Sequence, residues 1–283
     1  MSRGLRAELR GVLPGSVLEK VPSSFDIIGS KKKAVAIMEL SEELREYESI
    51  IAAAVMGLHK NVASVLAKES ERAGEYRTRE LRLVVGDPDT EVMHKESGHL
   101  FRLDPRTVYF SPRESTERER IATSVEDGER VLVMFSGIGP IPIYIAKRHR
   151  HAIVTAVELN PHAHNYCVEN IHLNGVSDRV EAILGDVRVI FRGPIKTYDR
   201  VVMPLPKGAY KYIDIAIPLL EDGGVLHFYH WGPEDDLFRE ADELVTQAAV
   251  EAGRGIEIFN RFKVSQYSPR LWKIRLDARI LNL

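Results

Sequence analysis

The chain has 283 residues, 44% hydrophobic and 28% charged, the composition of a folded protein of about two domains. Lys and Arg total 39 against 41 Asp and Glu, which excludes a polybasic nucleic-acid binder and leaves room only for a local basic face. The single cysteine, Cys167, excludes an internal disulfide and a Cys-based zinc site, and suits a reducing cytoplasm. No apolar run reaches the roughly 18 residues of a membrane span, and no apolar leader follows Met1–Arg6.

Residues 1–24 are Pro- and Gly-punctuated and net basic, and read as an arm or linker. Residues 25–110 read as a small α+β domain. Two short strands, Ile27-Ile28 and Ala34–Met38, flank the basic turn Lys31-Lys32-Lys33. Ser41 is a candidate N-cap, after which Leu44, Tyr47, Ile51, Ala54, Val55 and Leu58 keep helical spacing. From Arg79 the pattern alternates through Leu81, Leu83 and Val85, and Gly86-Asp87-Pro88-Asp89 turns the chain. Further strand-like runs at Glu91–His94, Leu100–Leu103 and Val108–Phe110 suggest a domain built on hairpins. Residues 111–129, rich in Arg and Glu, read as a helical bridge.

From Arg130 to Leu283 strands and helices alternate. Strands are expected at Val131–Phe135, Ile153–Val157, Val180–Leu184, Tyr198–Met203 and Val225–Tyr229, with helices at Pro161–Leu173 and Ala209–Leu220. The segments Gly255–Val264 and Leu271–Leu281 flank Ser268-Pro269 with no helix between them. The fold class is therefore α/β: a Rossmann-like parallel sheet finished by an antiparallel hairpin, preceded by the small α+β domain.

The first βα turn, Ser136-Gly137-Ile138-Gly139-Pro140, follows a buried strand and opens a helix, so a ligand can approach its backbone. Glu158 closes the second strand 21 residues after Gly137, the place of a ribose-binding acid. The third glycine of the dinucleotide fingerprint is absent, and a ligand without pyrophosphate does not need it. S-adenosylmethionine has ribose, adenine and a sulfonium but no phosphate, and the terminal hairpin matches class I methyltransferases better than dehydrogenases. Asp186 after the third strand suits the adenine amino group. Another nucleotide, or a glycine turn that merely joins strand to helix, are the alternatives. The fourth strand ends in Met203-Pro204-Leu205-Pro206, where enzymes that methylate nitrogen hold a short Pro-rich segment.

Several ordered motifs then carry a resemblance: Gly74–Glu80, His94-Lys95-Glu96, Val108–Arg113, Thr116-Glu117-Arg118, Met134–Pro140, Glu158-Leu159-Asn160-Pro161 and Gln266–Arg270. From about residue 25 onward the sequence resembles the archaeal/eukaryal-type tRNA guanosine-37 N1-methyltransferases and the related wybutosine-pathway tRNA transferases. The resemblance implies a cofactor, S-adenosylmethionine, and a partner, the tRNA anticodon loop. It implies that Glu117 removes the N1 proton and that Arg77 contacts the target guanine and neutralises charge on O6. The implied cofactor set is Tyr109, Arg113, Phe135, Gly137, Gly139, Glu158, Leu159, Asn160, Asp186, Val187 and Pro204. Substrate contacts would come from Arg77, Arg118, Pro204 and Pro206. No metal, DNA or membrane partner is expected, and a cytoplasmic monomer is.

The chemistry agrees with those roles. Guanine N1 is protonated at neutral pH, so its methylation needs a base for the proton and a cation near O6. The base must also be turned out into a pocket and stacked. Against this, Glu117 lies in Arg113–Arg120, a run that also reads as a solvated, salt-bridged helix face. Arg77 also reads as a solvent-facing strand residue. Lys147–His151 reads as a solvated helix end. Two departures stand out. Pro204 replaces the family Asn, and only about 24 residues precede the shared region, so the extra N-terminal domain of many members is not expected. Aminocarboxypropyl transfer, methylation of both guanosine and 4-demethylwyosine, and a non-catalytic RNA-binding protein on the same fold remain the rival functions.

Overall fold

In the computed structural model, which describes residues 4–70, 79–192 and 197–283, the chain divides into the units Met1–Ser115 and Thr116–Leu283. In the first unit, α1 (Leu5–Glu8) and α2 (Gly15–Leu18) overturn the reading of residues 1–24 as an arm. Leu5, Leu9, Leu13 and Val21 are buried in one apolar cluster with Ala34, Leu44, Ile51, Val55 and Val65. Leu5 lies on α1 and Leu9 caps it, while Leu13 follows a turn through Gly11 (φ 83°), so these leucines are brought to the core by a helix and a turn together.

A four-stranded sheet follows, in the order β1 (Asp26–Gly29), β2 (Ala34–Met38), β3 (Val62–Lys68), β4 (Leu81–Gly86). β1 and β2 pair antiparallel across the Lys31–Lys33 turn. β2 and β3 are parallel, which corrects the all-hairpin expectation. A parallel pair needs a long crossover, and the helical spacing after Ser41 supplies it as a 3-10 turn, Glu42–Tyr47, and α3 (Glu48–Leu58). β5 (Val92–Glu96) and β6 (His99–Leu103) do form a hairpin.

The second unit begins in the first turn of α4 (Ser115–Ser124), so residues 116–129 belong to it and are not a separate bridge. Its sheet contains β7 (Arg130–Met134), β8 (Ile153–Glu158), β9 (Val180–Leu184), β10 (Tyr198–Met203), β11 (Leu220–Pro233), β12 (Arg254–Ser268) and β13 (Leu271–Asn282). Their order is β12-β13-β11-β10-β7-β8-β9. The pairs from β9 through β11 are parallel, and β13 runs antiparallel to both β11 and β12. This is the expected doubly wound sheet with a terminal hairpin. Besides α4, the described residues of this unit form the helices α5 (Pro140–Arg148), α6 (Pro161–Leu173), α7 (Val187–Ile190), α8 (Ile213–Ala216) and α9 (Arg239–Glu251). The helix expected over Ala209–Leu220 shrinks to a 3-10 turn, Ala209–Tyr212, and α8, because β11 already starts at Leu220 and runs through Gly223-Gly224.

Both faces of the β11–β13 region are buried, and they differ in kind. Leu226, Phe228, Ile274, Leu276, Ala278 and Ile280 join Ala241, Val245 and Ala249 of α9 in one apolar core. On the opposite face the alternate residues His227, Tyr229, Lys273, Arg275 and Asp277 are buried as well. The register pairs His227 with Asp277 and Tyr229 with Arg275, so these side chains share one side of the sheet. Among the described residues no helix is long and apolar enough to cross a membrane.

Candidate functional site

The carboxyl ends of parallel strands are where open α/β sheets bind ligands, and here those ends hold ten of the sequence-derived candidates. After β7 the chain makes three left-handed steps, at Phe135 (φ 56°), Gly137 (φ 58°) and Gly139 (φ 87°). A phenylalanine in that region costs about 1–2 kcal/mol, and its partly buried ring lies edge-on to Tyr212 at 5.0 Å. Pro140 then starts α5, its fixed φ preorganised for a first helical position. The two glycines serve different ends. A Cβ on Gly137 would meet nothing within 4 Å, so open space faces the turn there. A Cβ on Gly139 would lie 2.7 Å from Cys167 Sγ. Gly139 thus lets α6 pack against the turn, and burial pushes the Cys167 thiol up to about 12, leaving it inert.

Glu158 ends β8 and ties this turn to the next. Its Oε2 accepts from the Gly137 N–H at 2.7 Å, and its Oε1 from the Asn160 N–H at 2.8 Å. Burial raises its pKa, against the lowering effect of those backbone donors. Each carboxylate oxygen keeps further acceptor capacity, which is what a ribose diol requires beside an open glycine turn. Asn160 caps α6, accepting from the His162 N–H at 3.0 Å. Asp186 caps α7, accepting from the Arg188 N–H at 2.8 Å. The Val187 side chain is 2% exposed within the apolar core, so it can offer a ligand only its backbone. Leu159, Pro204 and Pro206 are half-buried in the connections that leave β8 and β10.

Glu117, on α4, is 6% exposed and is no solvated helix residue. Tyr229 O–H donates to its Oε1 at 2.6 Å, and Arg275 Nη1 donates to the same oxygen. Arg120, one turn further along α4, donates to Oε2. Phe228 pairs in register with Met203. Tyr229 therefore lies level with Pro204 one strand away, and Glu117 is brought to the same sheet edge as the Pro204-Leu205-Pro206 segment.

Behind Glu117 lies a continuous buried chain that the sequence reading did not find. Arg275 Nε and Nη2 donate to the two oxygens of Asp277 at 2.8 and 3.1 Å. Asp277 Oδ1 lies 2.6 Å from His227 Nδ1, and His227 Nε2 lies 2.7 Å from Arg200 Nη1. Arg200 also forks onto Glu129 at 2.6 and 2.7 Å. Arginine only donates, so His227 Nε2 is the acceptor and the ring is neutral with its proton on Nδ1. Burial lowers the His227 pKa, against the pull of Asp277, in keeping with that tautomer. Burial alone would raise the Asp277 carboxyl, but His227 and Arg275 outweigh it and the net shift is downward. Burial, then the charge of Glu117, holds the Tyr229 hydroxyl protonated far above its ordinary range. The signal available in the sequence was the alternation Lys273-x-Arg275-x-Asp277-x-Arg279 against Ile274, Leu276, Ala278 and Ile280. In an isolated strand that pattern reads as one solvated face.

Tyr109 and Arg113 belong to the first unit, where Tyr109 O–H donates to Glu114 at 3.2 Å and Arg113 pairs with Asp26 at 2.6 Å. Arg118 is buried on α4. Arg77 lies outside the described residues. The basic run after α5 is the solvated helix end expected, with Lys147, Arg148, Arg150 and His151 exposed, although Arg148 pairs with Glu119 at 3.1 Å and His149 Nε2 lies 2.8 Å from the Ala122 carbonyl oxygen. Those contacts fasten α5 to α4.

Residues 92–258 match the model of the TRM5/TYW2 methyltransferase domain, and residues 5–90 that of the TYW2 N-terminal domain. The chain belongs to the TRM5/TYW2 methyltransferase family. It is 41% identical over 268 residues to the tRNA (guanine(37)-N(1))-methyltransferase Trm5b of Pyrococcus abyssi, covering 95% of this chain and 78% of that protein. Two solved structures show the same fold. A complex of aTrm5 with tRNALeu superposes with a TM-score of 0.84 at 31% identity, over 100% of this chain and 79% of the other. Pyrococcus horikoshii TYW2 in complex with MeSAdo superposes with a TM-score of 0.82 at 31% identity, over 99% and 98% of the two chains. The match to the TYW2 N-terminal domain thus includes the segment 5–24 that composition presented as a linker.

Proposed function

We propose that this chain is a tRNA (guanine(37)-N1)-methyltransferase that transfers the methyl group of S-adenosylmethionine to N1 of guanosine 37. The observation that carries the reading is the buried, anchored Glu117 carboxylate, set at the sheet edge that also presents Gly137, Glu158 and Pro204. When bound, S-adenosylmethionine supplies an electrophilic sulfonium methyl. Glu158 holds the ribose and the open face of Gly137 admits the ligand to the backbone, while Phe135, Leu159, Asn160, Asp186 and Val187 surround them in chain order. Glu117 accepts the N1 proton as N1 forms its new bond, so the guanine does not carry a positive charge through the step. Arg77 and Arg118 are assigned to the base and the tRNA, and Tyr109 and Arg113 to the cofactor, by the family resemblance. Pro204 and Pro206 line the approach to the target base. The same reading expects a cytoplasmic monomer acting on tRNA, without DNA or membrane partners.

Transfer of the aminocarboxypropyl group of the same cofactor is the second reading. Two observations favour it: the match of residues 5–90 to the TYW2 N-terminal domain, and the near-complete mutual coverage with TYW2. The higher identity to Trm5b places methyl transfer first. The test is nucleoside mass spectrometry of an unmodified guanosine-37 tRNA transcript incubated with the protein and S-adenosylmethionine. N1-methylguanosine is the expected product, and Glu117→Gln is expected to slow its single-turnover formation by about 10²-fold. A wild-type protein that leaves this transcript unchanged but modifies one carrying 4-demethylwyosine would replace the first reading with the second.

A further inference from the structure

The two oxygens of Glu117 are held by partners of very different mobility. Oε1 is held by Tyr229 and Arg275, both on the central sheet and both about 1% exposed. Arg275 cannot turn away, because its other two nitrogens are spent on Asp277 and its guanidinium lies over the Phe262 ring at 4.3 Å. Asp277 is in turn fixed by His227, His227 by Arg200, and Arg200 by its fork onto Glu129. The partner of Oε2 is Arg120, whose side chain is 39% exposed and which lies on the same helix as Glu117. An exposed arginine three residues away on one helix is a weak and exchangeable partner.

We propose that Tyr229 and Arg275 are positioning residues for Glu117, holding Oε1 so that Oε2, released from Arg120, is the oxygen that takes the guanine N1 proton. This rests on the reading of Glu117 as the general base. The proton leaves N1 as the new N–C bond forms and the S–C bond to the methyl group breaks, its electron pair staying on sulfur so that the cofactor departs as the neutral thioether S-adenosylhomocysteine. The carboxylate ends as a neutral acid with its proton on Oε2. Oε1 remains the acceptor of the Tyr229 and Arg275 donors throughout, so the anchored oxygen needs no reorganisation during the step. Arg200, His227 and Asp277 act through Arg275 by fixing its guanidinium plane.

Removing Arg275 leaves two buried acids without their shared cation and destabilises the fold, so the Tyr229→Phe variant carries the test. It deletes one O–H and keeps the ring. We expect its single-turnover rate at saturating tRNA and S-adenosylmethionine to fall about tenfold, the scale of one hydrogen bond to a charged group, with the affinities for both ligands unchanged. In a Glu117→Gln background the same substitution should cost no further rate, because the two residues act as one unit. A Tyr229→Phe rate within about twofold of wild type, or an equal loss in both backgrounds, would overturn the positioning role while leaving Glu117 as the base. If Glu117→Gln alone leaves the rate unchanged, the base reading fails first and the proposal falls with it.

Discussion

The two faces of β11 and β13 are sealed from water by different means. One face buries hydrocarbon against α9 and needs only complementary shape. The other buries Arg275, Asp277, His227 and Arg200, and closes the ends of that chain with Glu117 and Glu129. Such a stripe is tolerable only when every charge has its partner, because one missing member leaves an uncompensated charge in a dry interior. The apolar face is therefore the more forgiving of change, and the charged face the more exacting in geometry. It is the exacting face that holds Glu117.

That contrast can be broken by substitution. Arg275→Met is expected to lower the unfolding free energy by about 3–5 kcal/mol, the cost of breaking a buried ion pair from one side. Leu276→Ala, its neighbour on the apolar face, should cost about 2–5 kcal/mol, according to how far the cavity collapses. Chemical denaturation that gives Arg275→Met a cost below about 1 kcal/mol would mean the charged face behaves as a surface ion pair.

A smaller effect sharpens the comparison at the glycine turn, where the site is built from backbone donors and not from paired side chains. Glu158→Ala should weaken S-adenosylmethionine binding by about tenfold or more in calorimetric titration, with the sheet intact. Unaltered affinity would remove Glu158 from the ribose.

The smallest effect concerns pH. The buried His227 imidazole stays neutral, its pKa lowered chiefly by burial, while the unfolded chain takes up a proton below about 6.5. Wild-type stability should therefore decline as pH falls below that value. Asp277, lowered in the folded state, adds a loss in the same direction at still lower pH, as pH falls through its folded value. His227→Gln should flatten the decline between pH 7 and 5 by up to about one proton, or about 1.4 kcal/mol per pH unit. Thermal melts whose pH slopes match in the two proteins would show that His227 is charged in the fold.

Much of the second unit was legible because its signals are local. A buried strand followed by Gly137-Ile138-Gly139-Pro140 specifies a turn that only glycines and a helix-starting proline accommodate. An acid at the end of the next strand specifies the second contact, and the structure joins the two through one hydrogen bond at 2.7 Å. The long apolar alternation of the last two strands likewise announced the terminal hairpin.

What the sequence alone determined is this local grammar: the βα turns, the alternation of strands and helices, and the family motifs that single out Glu117. What only the tertiary structure decided is which side of a pattern is wet. The leucines of residues 5–13 became core because a sheet and α3 lie over them. The alternating charges of β13 became a buried relay because α4 covers that face with Glu117. Periodicity states that one face differs from the other, but burial depends on what packs against each, and that is set by residues 100 or more positions apart in the chain, as with Tyr229 and Glu117.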